Sequence, residues 1–106
     1  MAELVALEAP PGPKWVDELQ RWWARGDAVL PVDHRLPPQA VAALYEALGP
    51  TLIATTAGTH RPHPGRPAEA GDALVLATSG TTGAPKGVVL THDAVAAAAR
   101  TTSEAL

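Results

Sequence analysis

Cysteine is absent from the 106 residues of this chain. That excludes a disulfide framework, a thiolate metal site and a cysteine nucleophile. Phenylalanine is absent too, there is one tyrosine, and the three tryptophans all fall within the first 23 positions. Apolar residues make up 46% of the chain, but many are alanines, which bury little surface. The second half is short of bulky side chains, which points to a core completed by something else. No apolar run approaches the ~20 residues of a membrane span. No basic, then apolar, then small-residue pattern opens the chain. Basic charge is scarce: the formal net charge is −3, which argues against nucleic acid or an anionic membrane as partner. The densest basic stretch, His60 to Arg66, has two arginines, two histidines and no interleaved aromatic residue. It reads as a solvated loop. The expectation is a soluble, cytoplasmic protein.

What is present reads as alternating strands and helices. Residues 1–26 form a lead-in: an irregular stretch to Pro13, ending in "APPGP", then an amphipathic helix over Lys14–Arg25. Trp15, Leu19 and Trp22 fall at i, i+4, i+7, with Val16 and Trp23 beside them, so the tryptophan stripe reads as core packing. Gly26 is a plausible stop. "DAVLPVD", Asp27–Asp33, contains a buried strand ending at Pro31. A helix follows, with Pro38 in its first turn and Val41, Leu44, Tyr45 and Leu48 on one face, closed by Gly49 and Pro50. "TLIAT", Thr51–Thr55, is the next strand. Strand, helix and strand with short joints predict a parallel βαβ unit with a right-handed crossover.

Residues 57–71 are rich in glycine and proline and read as a loop. His60 and His63 stand three apart there, but two imidazoles without a third ligand make a poor metal site. "DALVLAT", Asp72–Thr78, reads as a strand buried on both faces. "KGVVL" gives a short strand over Gly87–Leu90. "THDAVAAAARTTSEAL" gives a helix capped by Thr91, with Asp93 in its first turn. The class is α/β, with a mostly parallel sheet and flanking helices.

The densest chemistry lies between the last two strands, at Thr78–Gly87, "TSGTTGAPKG". Gly80, Gly83 and Gly87 leave no Cβ in the way of a bulky anion. Successive amides in such a loop can form an anion nest. The hydroxyls of Thr78, Ser79, Thr81 and Thr82 add rotatable donors, and Lys86 brings a mobile positive charge. Together they suit a polyphosphate. The Walker pattern G-x-x-x-x-G-K-S/T does not fit, because Pro85 occupies the second glycine's place and Gly87 follows Lys86. The dinucleotide fingerprint G-x-G-x-x-G is absent as well. A solvent-exposed linker is the bland alternative. Flanking apolar strands and a single lysine after a stiffening proline oppose it.

"LATSGTTGAPKGVVLTHDAV", Leu76–Val95, resembles the phosphate-binding signature of the adenylate-forming superfamily, which includes acyl-CoA synthetases, peptide-synthetase adenylation domains and luciferases. Upstream, "AVLPVDHRLP" and "GDALVLATSG" are similar to that family's strand-and-turn segment and its lead-in to the loop. The resemblance covers Asp27 onward, so residues 27–106 are expected to be part of the N-terminal domain of such an enzyme, carrying the loop at 78–87. It implies ATP-dependent activation of a carboxylic acid, with loss of pyrophosphate and capture of the acyl-adenylate by a thiol such as that of coenzyme A. Lys86 would then offset charge on the departing pyrophosphate. Thr78, Ser79, Thr81 and Thr82 would bond phosphate oxygens, and Gly80, Gly83 and Gly87 would let the backbone close over them. Mg2+ would bridge phosphates, with no protein side chain assigned as its ligand. His92 is expected to pack at the helix start.

Two departures stand out. Ala77 takes a place where the family often has an aromatic residue, and the loop comes early in the chain. The early loop resembles o-succinylbenzoate–CoA ligases of menaquinone synthesis. The family's adenine pocket, ribose-binding acid, hinge and C-terminal catalytic lysine are not among these residues. The expectation is therefore the N-terminal piece of a larger ligase, inactive by itself and partnered by the remainder of that polypeptide. A stand-alone nucleotide- or partner-binding module without turnover is the alternative.

Overall fold

Four consecutive apolar residues, Leu4–Leu7, sit at the centre of the molecule. The computed structural model describes residues 2–62, 65–79 and 85–105, the side chains of 79 and 100–105 excepted. In chain order they form β1 (Leu4–Glu8), α1 (Pro13–Ala24), β2 (Ala28–Val32), α2 (Pro38–Leu48), β3 (Leu52–Thr55), β4 (Gly58–His60), β5 (Asp72–Ser79), β6 (Pro85–Thr91) and α3 (His92–Ala105). The strands make one sheet in the order β4-β3-β1-β2-β5-β6. β1, β2, β3 and β5 run parallel, and β4 and β6 join the two ends antiparallel.

Alternation along the strands divides the core into two layers. Leu4, Ala6, Leu30, Val32, Ile53 and Val75 face Val41, Leu44, Tyr45 and Leu48 of α2. Val5, Leu7, Val29, Leu52 and Ala54 face Trp15, Leu19, Trp22 and Trp23 of α1. The chain steps from β1 to β2 in one direction and from β2 to β3 back over β1. Two crossovers of the same hand that run in opposite directions must lay their helices on opposite faces, and the two side-chain layers show them there. Val5, Val29 and Leu30 are fully buried. Each such side chain contributes about 1.5–3 kcal/mol of burial.

Several expectations need correction. The stretch to Pro13 is not irregular, because it carries β1, which pairs with both β2 and β3. The strands predicted to form one βαβ unit are parallel, but β1 lies between them. β2 continues past Pro31 to Val32. It can do so because the ladder to β5 has one registered pair, Val29↔Leu74, and Pro31, which has no N–H to donate, lies beyond it. The loop over 57–71 contains the short strand β4. β5 is not buried throughout: Ala73 and Val75 are buried, whereas Leu76 is 37% exposed. β6 starts at Pro85, two residues earlier than expected. The described alanines of α3 are exposed. Its cap is as expected, with the Ala94 N–H donating to Thr91 Oγ1 at 3.1 Å. No helix among the described residues is long and apolar enough to cross a membrane.

Candidate functional site at the carboxyl edge of the sheet

Parallel strands bring their carboxyl ends to one edge. In open α/β sheets that edge is where ligands bind, because loops diverging to the two faces leave a crevice. Here the edge gathers Glu8 from β1, Asp33 just after β2, and Thr78 and Ser79 from β5. The glycine-rich segment leaves β5 at this edge and returns as β6. Of the predicted phosphate-binding residues, Gly80, Thr81, Thr82 and Gly83 lie outside the described residues. The flanking ones are placed. Thr78 stands opposite Lys86, Ala77 opposite Gly87, and Ser79 opposite Pro85. The Thr78 hydroxyl donates to the Lys86 carbonyl at 3.3 Å, tying the two sides of the hairpin at the base of the loop. Thr78 and Lys86 are both exposed. A hydroxyl and an ammonium thus stand at the same level of the ladder, at the carboxyl edge.

A cleft of about 550 Å³ opens there, between Asp33 and Leu36 on one side and Leu76, Ala77, Thr78 and Pro85 on the other. Asp33 is already engaged. Its carboxylate accepts from Arg35 Nε and Nη2, both at 3.2 Å, and from the Arg35 backbone N–H at 2.9 Å. The side-chain bonds from Arg35, then the backbone bond, hold the carboxyl below its usual range. This fork fixes the turn after β2.

A second pair lies behind it. The Tyr45 hydroxyl donates to Glu8 Oε2, joining α2 to the end of β1. Burial first, then the hydrogen bond and the charge of Glu8, raise the Tyr45 hydroxyl well above the ordinary phenol range. A third tie holds the hairpin from the other face. Trp23 Nε1 donates to the Ala73 carbonyl at 2.8 Å, and the Trp23 ring meets His92 edge-on with centroids 5.0 Å apart. The packing role expected of His92 is what the structure shows. His60 is exposed on β4, and His63 lies outside the described residues. Among the described residues no group of three His, Cys, Asp or Glu could hold a metal ion.

Sequence reasoning missed the Asp33–Arg35 fork, the Tyr45–Glu8 pair and the Trp23–Ala73 bond. The D-x-R spacing was a readable signal for the first. The other two join residues 37 and 50 positions apart, and no local pattern announces them.

Comparison with known proteins agrees with this geometry. The family model for AMP-binding enzymes matches residues 57–105. CymA of Salinispora arenicola, a probable nonribosomal peptide synthetase, is 37% identical over 103 residues, which is 92% of this chain and 1% of CymA. A variant of E. coli MenE with bound OSB-AMS superposes with a TM-score of 0.73 at 23% identity, over 93% of this chain and 25% of that one. The Klebsiella oxytoca NpsA N-terminal subdomain, in complex with 3-hydroxyanthranilyl-AMSN, gives 0.67 at 22% identity, over 86% of this chain and 28% of that one. Over residues 57–105 the chain is similar to the AMP-binding enzymes. Its fold is that of their N-terminal subdomain. It spans 1% of CymA and about a quarter of the two solved structures.

Proposed function

We propose that this chain supplies the pyrophosphate-binding loop of an ATP-dependent ligase that activates a carboxylic acid as its adenylate and passes the acyl group to a thiol. The pairing of Thr78 with Lys86 at the carboxyl edge of β5, at the base of the glycine-rich loop, carries this reading. The acid's carboxylate attacks the α-phosphorus of ATP, the bond to the β-phosphate oxygen breaks, and pyrophosphate departs with its electron pair. Lys86 offsets the charge that grows on the leaving group, by field and not by proton transfer. Ser79, Thr81 and Thr82 donate hydrogen bonds to phosphate oxygens, Thr78 does so once its hydroxyl turns from the Lys86 carbonyl, and Gly80 and Gly83 let the backbone approach.

The described residues fit a metal that arrives on the nucleotide better than one held in a protein cage. The carboxylate of Asp33 lines the cleft, but Arg35 occupies it. Mg2+, carried by the phosphates, would supply further charge neutralisation there. The adenine pocket, ribose contact and second catalytic lysine belong to the remainder of the ligase polypeptide, which works in the cytoplasm. Coenzyme A is the acceptor that the sequence resemblance supports, with o-succinylbenzoate as the first acid to test. The similarity to CymA supports a second reading, in which the acceptor is a carrier-protein thiol.

The test separates the two half-reactions in the polypeptide that carries this chain. Lys86→Ala is expected to slow acid-dependent ATP–pyrophosphate exchange by about 10²–10³-fold, the range for loss of one preorganised electrostatic group. Thioester formation from supplied acyl-adenylate should change little. Equal slowing of both steps would refute the role given to Lys86.

A further inference from the structure

Gly87 follows Lys86 on β6, and glycine there needs a reason. Its backbone is not in the left-handed region, unlike that of Gly12, Gly26, Gly49, Gly58 and Gly71. Conformational freedom is therefore not what the position requires. Space is what it requires. A Cβ at Gly87 would lie 2.9 Å from Leu48 Cδ2 and 3.1 Å from Val75 Cγ1, closer than carbon atoms pack. Leu48 could swing aside, whereas the β-branched Val75 is stiff. The last leucine of α2 thus fills a notch that the missing side chain leaves in β6.

The notch matters because it seats β6 directly against α2. β5 meets β2 through the one registered pair Val29↔Leu74. Trp23 holds the α1 face of the hairpin through Ala73. On the α2 face the hairpin is held by Val75, packed in one layer with Leu44 and Leu48, and β6 by the Leu48–Gly87 contact. Strand alternation sends the side chain of Lys86 to the face opposite the notch, so a shift of β6 against Leu48 displaces the ammonium directly.

We propose that Leu48 is a positioning residue for Lys86: seated in the Gly87 notch, it lets α2 set where the lysine stands at the carboxyl edge. This rests on the phosphate-binding reading above. It also gives Gly87 a packing role distinct from the approach of phosphate.

Rescue tests it, in the polypeptide that carries this chain. Gly87→Ala is expected to lower kcat of ATP–pyrophosphate exchange about tenfold or more, since a displacement near 1 Å can cost up to about 10²-fold. Adding Leu48→Ala should recover severalfold of that loss and raise the thermal midpoint of the Gly87→Ala protein. Leu48→Ala alone should lower kcat more than it changes KM for ATP, and should have no further effect on kcat in a Lys86→Ala background. Should Gly87→Ala not fold, Leu48→Val provides the same split between kcat and KM. Failure of Leu48→Ala to rescue, or an equal loss with and without Lys86, overturns the positioning role alone. If Lys86→Ala leaves exchange unchanged, the phosphate-binding reading falls, and the positioning role falls with it.

Discussion

Tyr45 is the only tyrosine in the chain, and it gives its hydroxyl to a carboxylate inside the fold. Tyr45→Phe keeps the ring packed against α2's core layer and removes the donor. Glu8 is then left partly buried without that partner, a loss of about 1–3 kcal/mol, measurable as a lower urea midpoint. The pair also sets an alkaline limit. The folded hydroxyl titrates above its unfolded value. Its contribution is complete below about pH 10, the ordinary phenol value, and is lost as pH rises from there through the folded value. Stability curves of the wild type and Tyr45→Phe should therefore converge above pH ~10. A constant gap across that window would show that the hydroxyl is not the titrating group.

Among the elements, the hairpin and the helix after it depend on a few contacts that can be tested one at a time. Thr91 caps α3 with one side-chain bond. Thr91→Ala should cost about 0.5–2 kcal/mol and Thr91→Ser little, by thermal unfolding. Trp23→Phe removes the bond to Ala73 and the edge contact with His92. Faster amide exchange confined to β5, β6 and the start of α3 is expected, whereas uniform acceleration would place Trp23 in the general core. The elements also show what a sequence makes legible. α1 and α2 could be read because Trp15, Leu19 and Trp22, and Val41, Leu44 and Leu48, repeat with helical spacing. β2, β3 and β5 could be read because apolar runs stand between turn residues. β1 could not. Leu4–Leu7 is a short run followed by a proline-rich turn, and its burial comes from β2 and β3, supplied some 20 and 50 positions later. The site divided in the same way. Thr78, Lys86 and the glycine-rich residues between them could be read by residue type as a candidate phosphate-binding stretch. The reason for Gly87 lies in Leu48, which is distant in sequence and adjacent only once α2 has docked.

At the scale of the whole molecule, strand order was the least legible property. Placing β1 between β2 and β3 reverses the direction of one crossover, and nothing local in the sequence encodes that reversal. The two borders of the finished sheet differ. β4 has three residues. β6 has seven, and its Val88 and Val89 are 44% and 52% exposed. Long apolar edge strands pair with further chain unless charge intervenes. The 106-residue chain should therefore self-associate, and Val88→Lys should move its sedimentation toward the monomer without lowering its unfolding temperature. Association unaffected by that change would assign the contact to another surface. A scaffold with one short margin and one long apolar one has a built-in polarity: a neighbour that adds as a further strand would do so on the lysine-bearing side, so the pyrophosphate site proposed above would come to rest against a seam.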